Sequence, residues 1–318
     1  MRHSDAVANT ANNRQPRIVS LLPGATDLIV ALGLERQLVG ISAHCNLPEH
    51  MAPLPRVNMG LIPASTVEPA AIDAEVRRRI SHGEPLFHAD ADQLKALKPD
   101  LILSQSLCDV CATTPSALTA EAIANARVLS LDGRDLDGLI NDIHAVITIT
   151  GMHERGAALI EDLNARRARS TAPASAPRRR VVAIEWPEPI FIGGHWIPDM
   201  LITAGGETLG APGDHSVVVD WQRIQAFDPQ VLLIMPCGEH LDGAERGLEC
   251  LRRQPDFLNL AAVAEGEVYL LDGDRYFSRP GPNAFTGLEI IGHILGTVQQ
   301  DPAPGYWRAA ERRELIGE

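Results

Sequence analysis

The sequence predicts an α/β protein of two similar lobes, each built on a parallel β-sheet, that are joined by one long helix. Short apolar runs typical of buried strands alternate with helical stretches, which is the pattern of parallel sheets with crossover helices. Two segments of the first half also recur in order in the second. LKALKPDLILS (94–104) resembles IQAFDPQVLLI (224–234), and RVLSLDG (127–133) resembles EVYLLDG (267–273).

The predicted N-terminal lobe comprises residues 17–134, and the polar residues 1–16 before it are expected to be disordered. Apolar runs predict strands at Arg17–Leu22, Leu38–Ser42, Leu101–Ser104 and Arg127–Leu131. Helical patterns lie between them at Pro23–Leu34, Asp92–Leu97 and Pro115–Ala126. Pro23 opens the first helix and Gly33 ends it, because proline is favoured at a helix start and glycine at a helix end.

Residues 135–170 carry a long helical pattern that follows the N-terminal lobe. Its apolar residues recur at helical spacing and form one stripe. They are Leu136, Leu139, Ile140, Ile143, Ile147 and Ile149. Gly151 and Gly156 weaken the pattern without ending it, so we expect one helix that spans both lobes.

A linker rich in Ala, Ser and Pro at residues 171–179 leads into the C-terminal lobe, residues 180–300, which a tail of residues 301–318 follows. Strands are predicted at Arg180–Ile184, Val231–Met235 and Val268–Leu271. Helices are predicted at Pro198–Ala204 and Phe285–Val298.

The composition argues against several classes of protein. A formal net charge of −13 disfavours nucleic acid or an anionic membrane surface as the partner. Five cysteines in 318 residues do not make a disulfide framework. The polar N-terminus lacks the apolar stretch of a signal peptide, so the sequence as it stands predicts a cytoplasmic protein. A periplasmic location would require an export signal that these residues do not contain.

Four cysteines directly follow predicted strands: Cys45, Cys108, Cys111 and Cys237. The carboxyl ends of strands in an open α/β sheet form the rim where ligands bind. Four thiolates there would suit Zn²⁺ or an iron–sulfur cluster, and His44 can replace one of them. Cys237 belongs to the second lobe and can join the others only across a cleft. Alternatively, the cysteines are small residues that pack under the cleft loops.

Aromatic residues are scarce, yet several lie near strand and helix ends of the second lobe. They are Trp186, Trp196, Trp221, Tyr276 and Phe277. Such residues on loops fit the wall of a site for a large planar or apolar ligand. The alternative is that they pack in the core or at a hinge.

Two further features suit an anionic ligand group. Arg279, between Ser278 and Pro280 on a stiff loop, can pair with an anion or can fix the loop to a neighbouring carboxylate. The helix start at Pro23 and Gly24 directs free backbone N–H groups toward the same rim. The sequence has no G-x-S-x-G elbow, no H-E-x-x-H motif and no evident nucleophile–base pair, which argues against a catalyst.

The segments SLLPGATDLIVALGLERQLVGIS and LKALKPDLILSQ, with the long mid-chain helix, resemble the substrate-binding proteins of iron-siderophore and vitamin B12 ABC importers. The motifs HCNLP, QSLCDVCA, MPCG and YFSRPGP resemble those of a cobalamin-binding subgroup. The resemblance implies two Rossmann-like lobes bridged by a rigid helix, the helical-backbone periplasmic-binding-protein or chelatase-like fold. It also implies a non-catalytic protein that holds a ligand between its lobes for an ABC permease.

Two positions depart from the pattern of that subgroup. His44-Cys45-Asn46 stands where Glu-Cys-Asp is usual, and Asn283 stands where a second arginine follows Pro-Gly-Pro. Both changes alter the charge at the expected cleft, so the ligand can differ from that of the subgroup.

The sequence therefore predicts a monomeric binding protein that holds a corrinoid (cobalamin-like) ligand or another metal chelate. The expected ligand-binding residues are Pro23, Gly24, His44, Cys45, Trp186, Trp196, Trp221, Tyr276, Phe277 and Arg279. One alternative is a metal- or iron–sulfur-dependent enzyme, or a metallocofactor-handling protein, that uses the cleft cysteines. Another is a redox protein that cycles Cys108 and Cys111.

Overall fold

The computed structural model of the chain describes residues 15–61, 68–107, 118, 123 and 126–317. Its N-terminal lobe has a six-stranded sheet that consists of β1 (Ile18–Ser20), β2 (Leu38–Ser42), β3 (Arg56–Gly60), β4 (Phe87–Ala89), β5 (Leu101–Ser104) and β6 (Arg127–Ser130). The strand order is β4-β3-β2-β1-β5-β6. The helices of this lobe are α1 (Pro23–Ala31), α2 (Pro69–Ser81) and α3 (Ala91–Leu97).

Two helices, α4 (Leu136–Thr150) and α5 (His153–Ser170), lead to the C-terminal lobe. The strands of that lobe are β7 (Arg179–Pro187), β8 (Ile190–Ile192), β9 (Gly206–Glu207), β10 (Val217–Val218), β11 (Val231–Ile234), β12 (Val268–Leu271) and β13 (Trp307–Ala309). Their order is β10-β8-β7-β11-β12-β13, with β9 beside β7. The helices are α6 (Ile197–Thr203), α7 (Trp221–Phe227), α8 (Leu241–Arg252), α9 (Ala261–Glu265), α10 (Gly273–Tyr276), α11 (Asn283–Leu295) and α12 (Arg312–Ile316).

The predicted two-lobed α/β architecture is confirmed, and β2, β5 and β12 have the predicted bounds. The sheets are mixed, however, because β4, β8, β10 and β13 run antiparallel to their neighbours. These strands lie at or near the sheet edges, and an antiparallel edge strand on an otherwise parallel sheet is common.

The prediction of one bridging helix is wrong. α4 ends at Gly151, which has φ 71°, and α5 begins at His153. Glycine adopts this left-handed conformation without a steric penalty, so it ends the helix here instead of merely weakening it. The predicted apolar stripe of α4 is buried at Leu136 and Leu139. Gly156 lets α5 cross close to α4, because a Cβ there would lie 2.4 Å from the Ile147 side chain.

The predicted C-terminal tail, residues 301–318, contains β13 and α12 and packs on the C-terminal lobe. β13 pairs with β12, and α12 packs on α8 with Leu315 buried. The short WRA strand has no periodic pattern of its own, so only the neighbouring sheet reveals it.

One hydrophobic core runs continuously through both lobes. It includes Ile18 of β1, Leu139 of α4 and Phe285 of α11, all buried. Two further clusters cover the opposite face of each sheet. The lobes are therefore coupled through α4, α5 and α11, and segments that follow strands of both sheets meet between them. We call the region between the lobes the cleft.

Some predictions fall on residues outside the described ones. These are the disordered N-terminus up to residue 14, most of the helix Pro115–Ala126, and the cysteines Cys108 and Cys111. Among the helices that the structure describes, none has both the length and the apolar character needed to cross a membrane.

Candidate functional site

The two lobes touch closely where α1 begins. Gly24 faces the loop after α10, and a Cβ added to it would lie 2.1 Å from the carbonyl oxygen of Pro280. A Cβ added to Gly281 would lie 2.7 Å from the carbonyl oxygen of Gly24. Glycine is required at both positions, because no side chain fits between the two backbones. Pro23 occupies the first turn of α1 beside this contact.

A charged bridge crosses the cleft next to this backbone contact. Arg279 is only 4% exposed, and its Nη1 lies 3.6 Å from Oδ2 of Asp27 on α1. On its own lobe, Arg279 donates from Nε to the Asp274 carbonyl oxygen at 2.9 Å and pairs with the Asp274 carboxylate. Asn283 donates from Nδ2 to Oδ2 of Asp27 at 2.9 Å. Arg279 thus fixes its loop and also links the lobes.

Burial dominates the electrostatics of Asp27. Desolvation raises the pKa of its carboxyl, and the positive charges of Arg279 and Arg275 only partly offset this effect. Without Arg279, ionisation of the buried Asp27 carboxyl would therefore carry a large free-energy cost.

Cys45 lies at the end of β2 in a neutral hydrogen-bonded chain. Its Sγ is 3.0 Å from Oγ1 of Thr26, which donates to Oγ of Ser20 at 2.9 Å. Burial raises the pKa of the Cys45 thiol to about 11, so the thiol is protonated at neutral pH. Neighbouring His44 is exposed, and its ring meets Phe87 edge-on at 5.9 Å between centroids.

Trp186 and Cys237 lie on the facing rim of the C-terminal lobe. The indole Nε1 of Trp186, near the end of β7, donates across the cleft to the Pro69 carbonyl oxygen at the start of α2, at 3.2 Å. Cys237 is half-buried after β11, and its backbone N–H donates to the Glu185 carbonyl oxygen at 2.9 Å. Trp186 is therefore a direct contact between the two lobes.

The other four predicted aromatic residues are buried in the C-terminal lobe: Trp196, Trp221, Tyr276 and Phe277. Trp196 donates from Nε1 to the Phe277 carbonyl oxygen at 3.1 Å. Trp221 donates to the Pro255 carbonyl oxygen at 2.7 Å and stacks near Phe257. Tyr276 meets Tyr306 edge-on. These four aromatic side chains therefore pack within the C-terminal lobe.

The described residues give the four-cysteine site no added support. Cys108 and Cys111 lie outside them, and within them no three His, Cys, Asp or Glu residues are grouped to hold a metal ion. The cysteine metal site stays a prediction.

Sequence reasoning missed a His–Asp pair on the C-terminal rim. Nδ1 of His240 lies 2.9 Å from Oδ2 of Asp272. Asp272 is buried, and its Oδ1 accepts from the Arg275 backbone N–H at 2.8 Å. Burial lowers the pKa of His240, but the hydrogen bond to Asp272 and its charge outweigh burial, so the net shift is upward. The repeated LDG that ends RVLSLDG and EVYLLDG is a signal that points to Asp272.

A hollow of about 400 Å³ lies elsewhere, between α8 and α12, lined by residues that include Arg252, Leu258 and Ile316. We place the candidate site at the cleft instead, because side chains of both lobes converge there and because ligands of open α/β sheets bind beyond the strand carboxyl ends.

Comparison with known proteins agrees with this geometry. Residues 18–275 match the family described as periplasmic binding protein. No curated protein sequence matches the chain.

Several solved structures share the fold. An ABC transporter substrate-binding protein from Listeria monocytogenes EGD-e has a TM-score of 0.67 at 18% identity, over 88% of this chain and 98% of that one. A periplasmic heme-binding protein from Roseiflexus sp. RS-1 has a TM-score of 0.66 at 20% identity, over 89% and 99%. A periplasmic vitamin B12-binding protein of Vibrio cholerae has a TM-score of 0.61 at 20% identity, over 90% and 98%.

Proposed function

The chain belongs to the periplasmic binding protein family, and on that premise we propose that it holds a corrinoid or another metal chelate between its lobes for an ABC permease. The B12- and heme-binding proteins of the same fold support a flat metal chelate as the ligand class. The cobalamin-type motifs around Cys45 and Arg279 favour a corrinoid among such chelates.

The observation that carries the proposal is the convergence of both lobes on one cleft. Gly24 and Asp27 of the N-terminal lobe meet Pro280 and Arg279 of the C-terminal lobe, and Trp186 reaches across to α2. A ligand held between the lobes beside these contacts would touch both lobes at once, which is how a two-lobed protein couples binding to the arrangement of its lobes.

The test is an absorbance titration of the purified protein with hydroxocobalamin, haemin and a ferric siderophore. We expect saturable binding of one of them, with a dissociation constant on the order of 1 µM or tighter. Failure of all three chelates to bind would overturn the proposal.

Two matched variants locate the site. Trp186→Phe removes the indole N–H that bridges the lobes, whereas Trp307→Phe removes one that donates to Asp301 within the C-terminal lobe. We expect Trp186→Phe to weaken the chelate several-fold and Trp307→Phe to leave its affinity unchanged. Equal effects of the two substitutions would place the ligand elsewhere.

Metal analysis of protein purified without oxygen separates the chelate hypothesis from a metal bound by cysteines. Zinc, or iron with sulfide, that is lost in Cys108→Ser but retained in Cys250→Ser would favour the cysteine site, since Cys250 is buried on α8. Cobalt with a corrinoid spectrum would favour the chelate.

A further inference from the structure

Three cationic or titratable side chains from both lobes gather beside the start of α4. We call Arg134, His195 and His215 the hinge cluster. Arg134, in the loop before α4, has its Nη1 3.5 Å from Nε2 of His215 on the opposite lobe. The rings of His195 and His215 lie 5.4 Å apart, nearly perpendicular. The cluster is separate from the contact between Gly24 and Pro280.

The backbone holds His195 in an uncommon conformation. Its φ is 54°, in the left-handed region that residues other than glycine rarely adopt. Its N–H donates to the Asp214 carbonyl oxygen at 2.6 Å, and its own carbonyl oxygen accepts from Gly213 at 3.0 Å. These bonds place His195 beside His215, and strain of this kind is often concentrated at functional sites.

The guanidinium of Arg134, which is exposed, has no carboxylate partner among the described residues. No ion pair within 4.0 Å involves Arg134 or His215 there, although the chain has 41 acidic residues against 28 basic ones. Three of the nearby carboxylates accept hydrogen bonds from other donors. Asp135 and Asp199 accept from backbone N–H groups of α4, and Glu185 accepts from a serine hydroxyl.

His195 carries a polar atom with no partner. Within the described part of the chain, its buried Nε2 makes no hydrogen bond. Burial lowers the pKa of His195 to about 4, and the charges of His215 and Arg134 act in the same direction. At neutral pH the ring is therefore uncharged, and with its proton on Nε2 it offers one donor.

Space for a ligand adjoins the cluster. A hollow of about 260 Å³ is lined by residues that include His215, Arg223, Asp214 and the backbones of Gly193 and Gly194. Since a water molecule occupies about 30 Å³ of liquid, this volume holds a small polyatomic anion.

We propose that the hinge cluster binds an oxyanion, a carboxylate or phosphate group, that bridges the two lobes beside α4. Arg134 supplies a planar guanidinium from one lobe, and His215 and His195 supply imidazole donors from the other. The anion is either free in solution or part of the ligand in the cleft.

The first test is isothermal titration calorimetry of the full chain with inorganic phosphate and with citrate. We expect binding that weakens about tenfold or more in Arg134→Gln, because a charge-assisted hydrogen bond is lost. His195→Asn keeps a residue that tolerates the left-handed backbone, and we expect it to weaken binding as well. Arg36→Gln, at an exposed arginine of the N-terminal lobe, should leave binding unchanged.

The second test finds the source of the anion. Haemin carries two propionates, so competition between phosphate and haemin would show that the ligand supplies the anion, whereas independent binding would indicate a free anion. The proposal is overturned if Arg134→Gln alters neither phosphate, citrate nor haemin binding. That result leaves the chelate proposal standing, because Trp186→Phe tests the latter separately.

Discussion

The two lobes face each other with rims of different chemistry. On the N-terminal rim, Ser20, Thr26 and Cys45 form a chain of neutral hydrogen bonds, all buried. On the C-terminal rim, Arg279 is paired with Asp274 within a loop that Ser278 ties to the backbone of Gly238. The buried hydrogen bonds of the first network join neutral groups, whereas those of the second involve charged groups.

The two rims contribute different physical properties to the cleft. A neutral buried network fixes shape, because each partner satisfies the other without a large field. A charged network fixes an electrostatic field at a site, and that field orients a polar ligand. Asp27, on α1 of the N-terminal lobe, is the point where the two rims are joined ionically.

Removing the charge of Arg279 should have the largest effect on stability. Arg279→Gln leaves Asp27 and Asp274 without their buried cation, and we expect the free energy of unfolding to fall by about 3 kcal/mol. Urea denaturation measures it. The control Arg308→Gln removes a more exposed arginine from Glu245 and Glu314, with an expected loss of about 1 kcal/mol or less. Similar losses in both variants would contradict the importance of burial.

A methyl group between the rims tests how closely they pack. Gly24→Ala places a Cβ 2.1 Å from the Pro280 carbonyl oxygen, so the backbones must separate, and we expect a loss of about 1–3 kcal/mol. Gly210→Ala is the control, since its nearest neighbour would be 3.2 Å away. Thermal unfolding gives the stability, and small-angle scattering gives the opening of the lobes. An unchanged melting temperature in Gly24→Ala would exclude the close contact.

Desolvated carboxyl groups and carboxyl groups paired with arginine should affect the pH dependence of stability in opposite directions. Burial raises the pKa of Asp142 on α4 to about 6, so its folded pKa exceeds the unfolded value of about 3.8. At neutral pH the ionised Asp142 carboxylate therefore lowers the free energy of unfolding. This loss disappears as the pH falls from about 7 to 4, because the carboxyl becomes protonated in the folded protein.

We expect Asp142→Asn to raise the free energy of unfolding at pH 8 by roughly 1 kcal/mol and to leave it unchanged at pH 4. Asp242 on α8 is the counterpart, because its hydrogen bond from Arg246 lowers its pKa. Asp242→Asn should destabilise slightly at pH 8. Denaturation curves at the two pH values measure both effects. A loss of stability in Asp142→Asn at pH 8 would refute the raised pKa of Asp142.

The smallest expected effect concerns the thiols of the two rims. Cys45 is fully buried with a pKa of about 11, whereas Cys237 is half-buried. Because the thiolate is the nucleophile, iodoacetamide at pH 8 should alkylate Cys237 much faster than Cys45. Peptide mass spectrometry follows both sites, with Cys250 as a buried control. Faster labelling of Cys45 would mean that its rim opens readily.

Several features of the fold were predictable because local patterns carry them. The strands at Leu38–Ser42, Leu101–Ser104 and Val268–Leu271 are apolar runs bounded by turn residues, and their bounds agree with the structure. The break at Gly151 was not predictable, since a glycine inside a helical pattern is tolerated or terminates it depending on how the following helix packs.

The candidate site was predictable only in part. Gly24, Cys45 and Arg279 follow strands, so their approximate place on the rims could be inferred from the chain order. The tryptophans could not be assigned in this way. Trp186 and Trp196 are close in sequence, yet the first bridges the lobes and the second is buried against Phe277.

The sequence alone predicts the alternation of strands and helices and the division into two lobes, and the structure confirms both. Propensity and periodicity are local, so the chain expresses them before any lobe packs. Only the tertiary structure decided which groups meet, such as Asp27 with Arg279 or Arg134 with His215. Contacts across a cleft depend on how two separately patterned lobes are oriented, and no local pattern encodes that orientation.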